Sequence, residues 1–244
     1  LQQSGLPAGE HPENWNITHP DVIENIHLSY FNAGSNVVCT NTFGANSLKF
    51  SDTELENIIA SAVQNAKNAR NKSTNNAPKF IALDIGPTGK LLKPFGDLDF
   101  EDAVALFAQT VVLGVKYGAD LIFIETMNDS LECKAALLAA KENSSLPVFV
   151  SCAYGADGKL MTGASPAAMV AMLEGMGADA IGANCSLGPD KLLPIVKRLS
   201  AVSSTPSIIK PNAGLPEVKG EKTVYSLGAD EFACDMLALA KAGA

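Results

Sequence analysis

Short Val- and Ile-rich runs alternate with longer helical patterns along this 244-residue chain, and the passages between them repeat. "AGSNVV" from Ala33, "YGADLI" from Tyr117 and "MGADAI" from Met176 each set a glycine after a helical pattern. In each, an Asn or Asp then precedes the next apolar run. Glycine suits the left-handed position that closes a helix, and Asn or Asp suits the turn into a strand. The apolar runs show little in-and-out alternation, as strands covered on both faces do. Strands alternating with helices at this period imply parallel βαβ units.

The series opens with a helical pattern from Asp21 to Gly34, with Val22, Ile26 and Tyr30 at a spacing of four. Further helices are expected over 54–72, 100–118, 129–142, 165–175, 190–200 and from Asp230 onward, and Ser73 to Pro78 reads as a polar loop. Strands are expected over 36–41, 79–86, 121–126, 147–154, 180–185 and 207–212. The series holds about six strands and seven helices, and starts and ends on a helix. An α/β fold follows: a (β/α)8 TIM barrel lacking most of its first strand and its last. An open doubly wound sheet is the competing fold. That fold usually carries a Gly-rich phosphate loop after its first strand, and neither GxGxxG nor GxxxxGK[ST] is present.

Composition narrows the partners. The net charge is −8 and the basic residues are scattered, which argues against nucleic acid. No apolar stretch reaches the roughly 18 to 20 residues that span a membrane, and "LQQSGLPAGEHPENWN" has no signal-peptide pattern. Five cysteines, an odd number at irregular spacings, argue against a disulfide framework and for a reducing cytoplasm. The chain begins with Leu1, which suggests processing or a piece of something longer.

In a barrel, chemistry gathers at the C-terminal strand ends. Those ends carry Thr40-Asn41-Thr42, Asp84 with Gly86-Pro87-Thr88-Gly89, Glu125-Thr126, Ser151-Cys152, Asn184-Cys185 and Lys210-Pro211-Asn212. Each residue alone reads as well as a cap or turn former; together they favour a small-molecule site. Glu125 follows Leu-Ile-Phe-Ile, so its carboxylate is expected to be partly desolvated, fit to hold an ammonium or act as a base. A structural pairing with a neighbouring strand's Asn or Lys is the other reading. Lys210 allows a Schiff base with a carbonyl substrate, or a side chain that snorkels outward. Cys185 is open between a small core hydrophobe and a ligand or nucleophile. Cys39, Cys133 and Cys234 read as packing residues, and Cys152 is open. Spacing alone draws no complete metal site, since CxxC and HExxH are absent and no histidine falls at a strand end.

The motifs "TNTFGAN" from Thr40, "DIGPTGKLL" from Asp84, "IETMNDSLECKAA" from Ile124, "GANCSLGP" from Gly182 and "PNAGLP" from Pro211 stand in a telling order. They resemble those of the homocysteine S-methyltransferase family through essentially the whole chain, nearest to the homocysteine-binding barrel of its cobalamin-dependent branch. The resemblance implies a barrel with a zinc ion at its C-terminal face, held by three cysteine thiolates. One comes from an "NC" motif, which Cys185 matches. The other two come from a "GGCCG" motif on the last strand, which has no counterpart in residues 1–244. A "DGAMGT"-like first strand is likewise absent, so residues 1–244 are expected to form a single, incomplete barrel domain.

The resemblance also implies that zinc stabilises the homocysteine thiolate, which takes a methyl group to give methionine. Its donor would be methylcobalamin on another domain, recharged from 5-methyltetrahydrofolate, so cobalamin-binding and folate-binding domains are the implied partners. Glu125 matches the family glutamate that holds the substrate amino group, and Asn212 an asparagine near the metal. Thr42, Phe43 and Asn184 match the pocket with weaker warrant. The alternatives are a stand-alone methyltransferase using S-methylmethionine or betaine, a non-catalytic remnant or binding module, a Schiff-base lyase acting through Lys210, and a metal site using Cys152 with Cys185. A barrel short of two strands exposes sheet edges, so the chain alone is expected to be marginally folded or aggregation-prone.

Overall fold

A computed structural model of the chain describes all residues except Leu215, Gly220, Glu221 and Ser226, with the backbone alone for Pro216–Lys219, Lys222 and Thr223. The elements are α1 (Trp15–Thr18), α2 (Pro20–Asn32), β1 (Val37–Cys39), α3 (Asp52–Lys72), β2 (Phe80–Ile85), α4 (Phe100–Tyr117), β3 (Leu121–Met127) and α5 (Ser130–Asn143). They continue with β4 (Val148–Cys152), α6 (Pro166–Gly175), β5 (Ala180–Asn184), α7 (Pro189–Ser200), β6 (Ser207–Lys210), β7 (Pro216–Lys219), β8 (Lys222–Tyr225) and α8 (Ala229–Lys241).

Six strands follow the order β1-β2-β3-β4-β5-β6. A doubly wound sheet reverses its strand order at a switch point, so this consecutive order sets that competitor aside. The pairs β1–β2, β4–β5 and β5–β6 are parallel, with Val38 opposite Ile81, Ser151 opposite Gly182 and Asn184 opposite Lys210. The small antiparallel pair β7–β8, between β6 and α8, was not expected from the sequence.

The repeated glycine passages behave as their chemistry demands. Gly34, Gly118 and Gly177 have φ of 109°, 83° and 83°, a region a Cβ disfavours. In two of them the residue two places on ties to β2 or its approach: Asn36 Nδ2 donates to Pro78 O at 2.8 Å, and Asp120 Oδ2 accepts the Ile81 N–H at 2.7 Å. Asp120 also pairs with Arg70 of α3 at 2.8 Å, which fixes helix and strand together.

The contacts divide the chain into two compact units. The first comprises residues 1–123 and 138–148, the second residues 124–137 and 149–244. In the first, α3 begins with a capping box, Ser51 N–H donating to Glu54 Oε2 at 2.9 Å. Its core joins Phe31, Val38, Ala66, Ala69 and Ile81, with Leu28 beside them. Burying Phe31 alone is worth about 2–3 kcal/mol. On α2 the buried stripe is Ile23, His27 and Phe31, one residue round from the expected Val22–Ile26–Tyr30 stripe, and Tyr30 is exposed. A helix has no marker for its inner face when both stripes are this apolar. In the second unit α7 packs on β5 and β6, flanked by α6 and α8. Cys133 and Cys152 are fully buried, whereas Cys234 is exposed on α8 and is not a packing residue.

His27 is 6% exposed, and its Nε2 has no hydrogen-bond partner. Burial therefore lowers its pKa from 6.5 to about 4. The folded chain keeps this ring neutral down to about pH 4, whereas an unfolded chain protonates it near 6.5. His27 is thus neutral in both states above pH 6.5, and stability is lost as pH falls towards 4, by about 3 kcal/mol. Urea midpoints of the protein and of His27→Leu, followed from pH 7 to pH 4, are expected to diverge, the variant losing less. Parallel curves refute the assignment.

Candidate functional site

The C-terminal strand ends of the second unit carry a connected polar group centred on Asn184, the buried last residue of β5. Its Oδ1 accepts the Thr126 backbone N–H at 2.8 Å and the Ser151 hydroxyl at 2.6 Å, and its Nδ2 donates to Thr126 Oγ1 at 2.7 Å. One side-chain amide thereby ties the ends of β3, β4 and β5. Few other side chains offer both a two-fold acceptor and donors from one rigid plane.

Three residues around this node have left-handed backbones: Thr126 (φ 62°), Cys185 (φ 61°) and Ser186 (φ 58°). Outside glycine such a conformation costs on the order of 1–3 kcal/mol and persists where surrounding bonds hold it. The Asn184 amide grips Thr126 at both N–H and hydroxyl. The Cys185 N–H donates to Lys210 O at 3.1 Å, and the Cys185 carbonyl accepts the Leu187 N–H at 2.6 Å. Asn212 N–H in turn donates to Leu187 O at 3.1 Å, so the loops after β5 and β6 are laced together. Cys185 is partly buried on the first and Asn212 on the second.

Glu125 precedes Thr126 on β3, and its side chain is 12% exposed. Its Oε2 is ion-paired with the Lys210 ammonium, which is 44% exposed. The structure thus contains the pairing with a neighbouring strand's lysine, one of the two readings Glu125 allowed. An ion-paired ammonium is a poor nucleophile, so the Schiff-base reading of Lys210 loses its support.

Thr42 and Phe43 lie in the first unit, on the loop after β1. Thr42 is buried; its Oγ1 lies 2.7 Å from Thr40 Oγ1 and donates to Asp84 O at 2.8 Å, while Asp84 N–H donates to Thr40 Oγ1 at 3.1 Å. Phe43 is 42% exposed, with its carbonyl accepting the Gly86 N–H at 3.0 Å. A Cβ on Gly86 would stand 2.6 Å from the Phe43 ring, so the ring's place depends on that glycine. The N-terminal segment holds this loop, which the sequence reading missed. The buried Glu13 Oε1 accepts the Gly44 N–H at 2.6 Å, and Asn16 Nδ2 donates to Asn41 O at 2.7 Å. The signal available was "HPENWN", a proline followed by an acid, as helix starts often read.

Cys152 faces Cys133. The hydrogen bond that the Cys133 thiol makes to Cys152, and then burial, push that thiol well above its ordinary pKa. A sequestered pair in which Cys133 is held protonated suits packing better than ligation, which weighs against Cys152 as a second metal ligand beside Cys185. Among the described residues no group of three or more His, Cys, Asp or Glu is placed to hold a metal ion. A zinc centre needs three or four protein ligands, so the described residues do not fit a complete one.

Known proteins bear on these residues. The family model described as homocysteine S-methyltransferase matches residues 2–244. Methionine synthases of Mycobacterium leprae and Mycobacterium tuberculosis are 31% and 30% identical over 228 residues. Those alignments cover 89% of this chain and 19% of each relative, so the chain spans about a fifth of their length. The homocysteine methyltransferase MmuM of Escherichia coli has the same fold. Its metallated and oxidized forms superpose with TM-scores of 0.83 and 0.82 at 19% identity, over 100% of this chain and 85% of theirs. These matches establish the barrel-type α/β fold expected from the strand series.

Replacing Asn184 by alanine strands the Thr126 N–H and the Ser151 hydroxyl and releases the strained backbone. The expected loss is about 2–4 kcal/mol by urea denaturation. A loss below about 0.5 kcal/mol, the scale of an ordinary surface change, removes the amide from its place as the node.

Proposed function

Because the chain belongs to the homocysteine S-methyltransferase family, we propose that it forms the homocysteine-binding barrel domain of an enzyme that methylates the homocysteine thiol to give methionine. The supporting observation is Glu125: a carboxylate only 12% exposed at a strand end, already engaged with a primary ammonium, that of Lys210. Such a group in a partly dry setting selects an alkylammonium, which homocysteine carries.

In this reading Glu125 anchors the amino group. Asn184 acts through others, holding Thr126 beside Glu125 and holding the β5 end from which Cys185 projects. Asn212, on the loop laced to that of Cys185, is proposed as a further substrate-binding residue of the second unit, and Thr42 and Phe43, on the loop after β1 of the first unit, are proposed as substrate-binding residues by family likeness. The methyl transfer forms a carbon–sulfur bond with the thiolate electron pair while the donor's bond to the methyl group breaks and the donor keeps its pair. The donor we propose is methylcobalamin, recharged from 5-methyltetrahydrofolate, because the relatives at about 30% identity are methionine synthases. Cobalamin- and folate-binding domains are then the partners. Cys185 is proposed as one thiolate ligand of zinc, whose two further thiolates would come from outside residues 1–244. No helix among the described residues is long and apolar enough to cross a membrane.

In the full-length protein, Glu125→Gln is expected to weaken homocysteine binding about tenfold or more, read by calorimetry. Unchanged affinity removes Glu125 from the site. Cys185→Ser is expected to lower bound zinc, measured by elemental analysis, from near one equivalent to a small fraction of it. Full zinc retention in that variant excludes the ligand role.

A further inference from the structure

Lys210 is the feature that the functional reading leaves unused. It ends β6 opposite Asn184, and its carbonyl is fixed by the Cys185 N–H at 3.1 Å. Its side chain reaches back to Glu125 on β3, with β4 and β5 between the two in the sheet order. The backbone is therefore pinned, while the four-carbon stem lets the ammonium, 44% exposed, move by a few ångströms. Glu125 is the more enclosed partner.

Two opposite charges held side by side at the strand ends match a zwitterion. An amino acid carries an ammonium and a carboxylate on one carbon, at about the spacing of two neighbouring ionic groups. A simple amine can also bind Glu125, but it offers the displaced Lys210 no carboxylate in exchange. An amino acid replaces the internal ion pair by two intermolecular ones, Glu125 with its ammonium and Lys210 with its carboxylate, so net charge is balanced before and after.

Resting on the reading of Glu125 as the ammonium site, we infer that Lys210 is a specificity-determining residue that binds the substrate's α-carboxylate, and that the Glu125–Lys210 pair is the empty site's stand-in for the amino-acid head group. The pair then selects α-amino acid thiols over aminothiols that lack the carboxylate.

The test is calorimetric titration of the full-length protein with L-homocysteine and with homocysteamine, the same molecule without its carboxylate. The unaltered protein is expected to prefer homocysteine by about tenfold or more, as one charge-assisted contact allows. Lys210→Met is expected to lose that preference by weakening homocysteine while leaving homocysteamine equal or tighter, and Lys210→Arg to restore most of it. Thermal melts of both variants report whether the fold is kept, and Lys210→Arg carries the test if Lys210→Met does not fold. If Lys210→Met tightens both ligands equally, Lys210 is merely a tethered competitor and the inference is overturned. Equal weakening of both shows that it only positions Glu125, and no change shows an idle surface charge; either result also overturns it. If the unaltered protein binds no homocysteine, or Glu125→Gln leaves binding intact, the functional reading itself fails, an outcome separate from any effect at Lys210.

Discussion

The Asn184 side chain is the constraint on which the strand-end chemistry of the second unit depends. Parallel strands are joined by backbone bonds along their length, but their ends are free to splay where the ladder stops. An amide that accepts from Thr126 and Ser151 and donates to Thr126 closes that gap across three strands. It also stabilises a left-handed Thr126 and sits next to left-handed Cys185 and Ser186, conformations that local sterics oppose. Strain of this kind aims side chains where a relaxed strand end would not. Glu125 precedes Thr126 and Cys185 follows Asn184, so each stands next to a residue of the node.

Charge organises the next layer. Glu125 is nearly enclosed, and an unpaired carboxylate there would be costly. Lys210 supplies the counter-ion without a ligand, from a residue whose backbone is tied to the Cys185 loop. The thiols divide by the same logic of surroundings. Cys133 and Cys152 are sequestered together and Cys133 is held protonated, whereas Cys185 stands partly open at the end of a strand. Residue type did not separate these cysteines; their settings did.

Much of the fold was legible because it rests on local chemistry. Gly34, Gly118 and Gly177 signalled positive φ by being glycine before an Asx turn, and the apolar runs marked strands by lacking alternation. Those signals placed the six strands of the sheet and its long helices within a few residues. Less legible were features that depend on what lies opposite. The buried face of α2 slipped by one residue because Val22–Ile26–Tyr30 and Ile23–His27–Phe31 are equally plausible stripes until β1 and α3 choose between them. The β7–β8 pair has too short a pattern to stand out, and the exposure of Cys234 follows from how little of α8 is covered.

For the site, the sequence by itself determined which residues stand at strand ends, since a strand's end is a local event written in the shift from Val and Ile to polar residues. Glu125, Asn184, Cys185 and Asn212 were all found that way or by family likeness. Only the tertiary structure decided what each one touches. Glu125 meets Lys210, 85 positions away in the chain, and Asn184 meets Thr126, 58 positions away. Such partners are brought together by strand order and register, which no local propensity encodes. A carboxylate's role as anchor, base or structural ion depends on its partner and its exposure to water, and both are properties of the folded surroundings rather than of the residue.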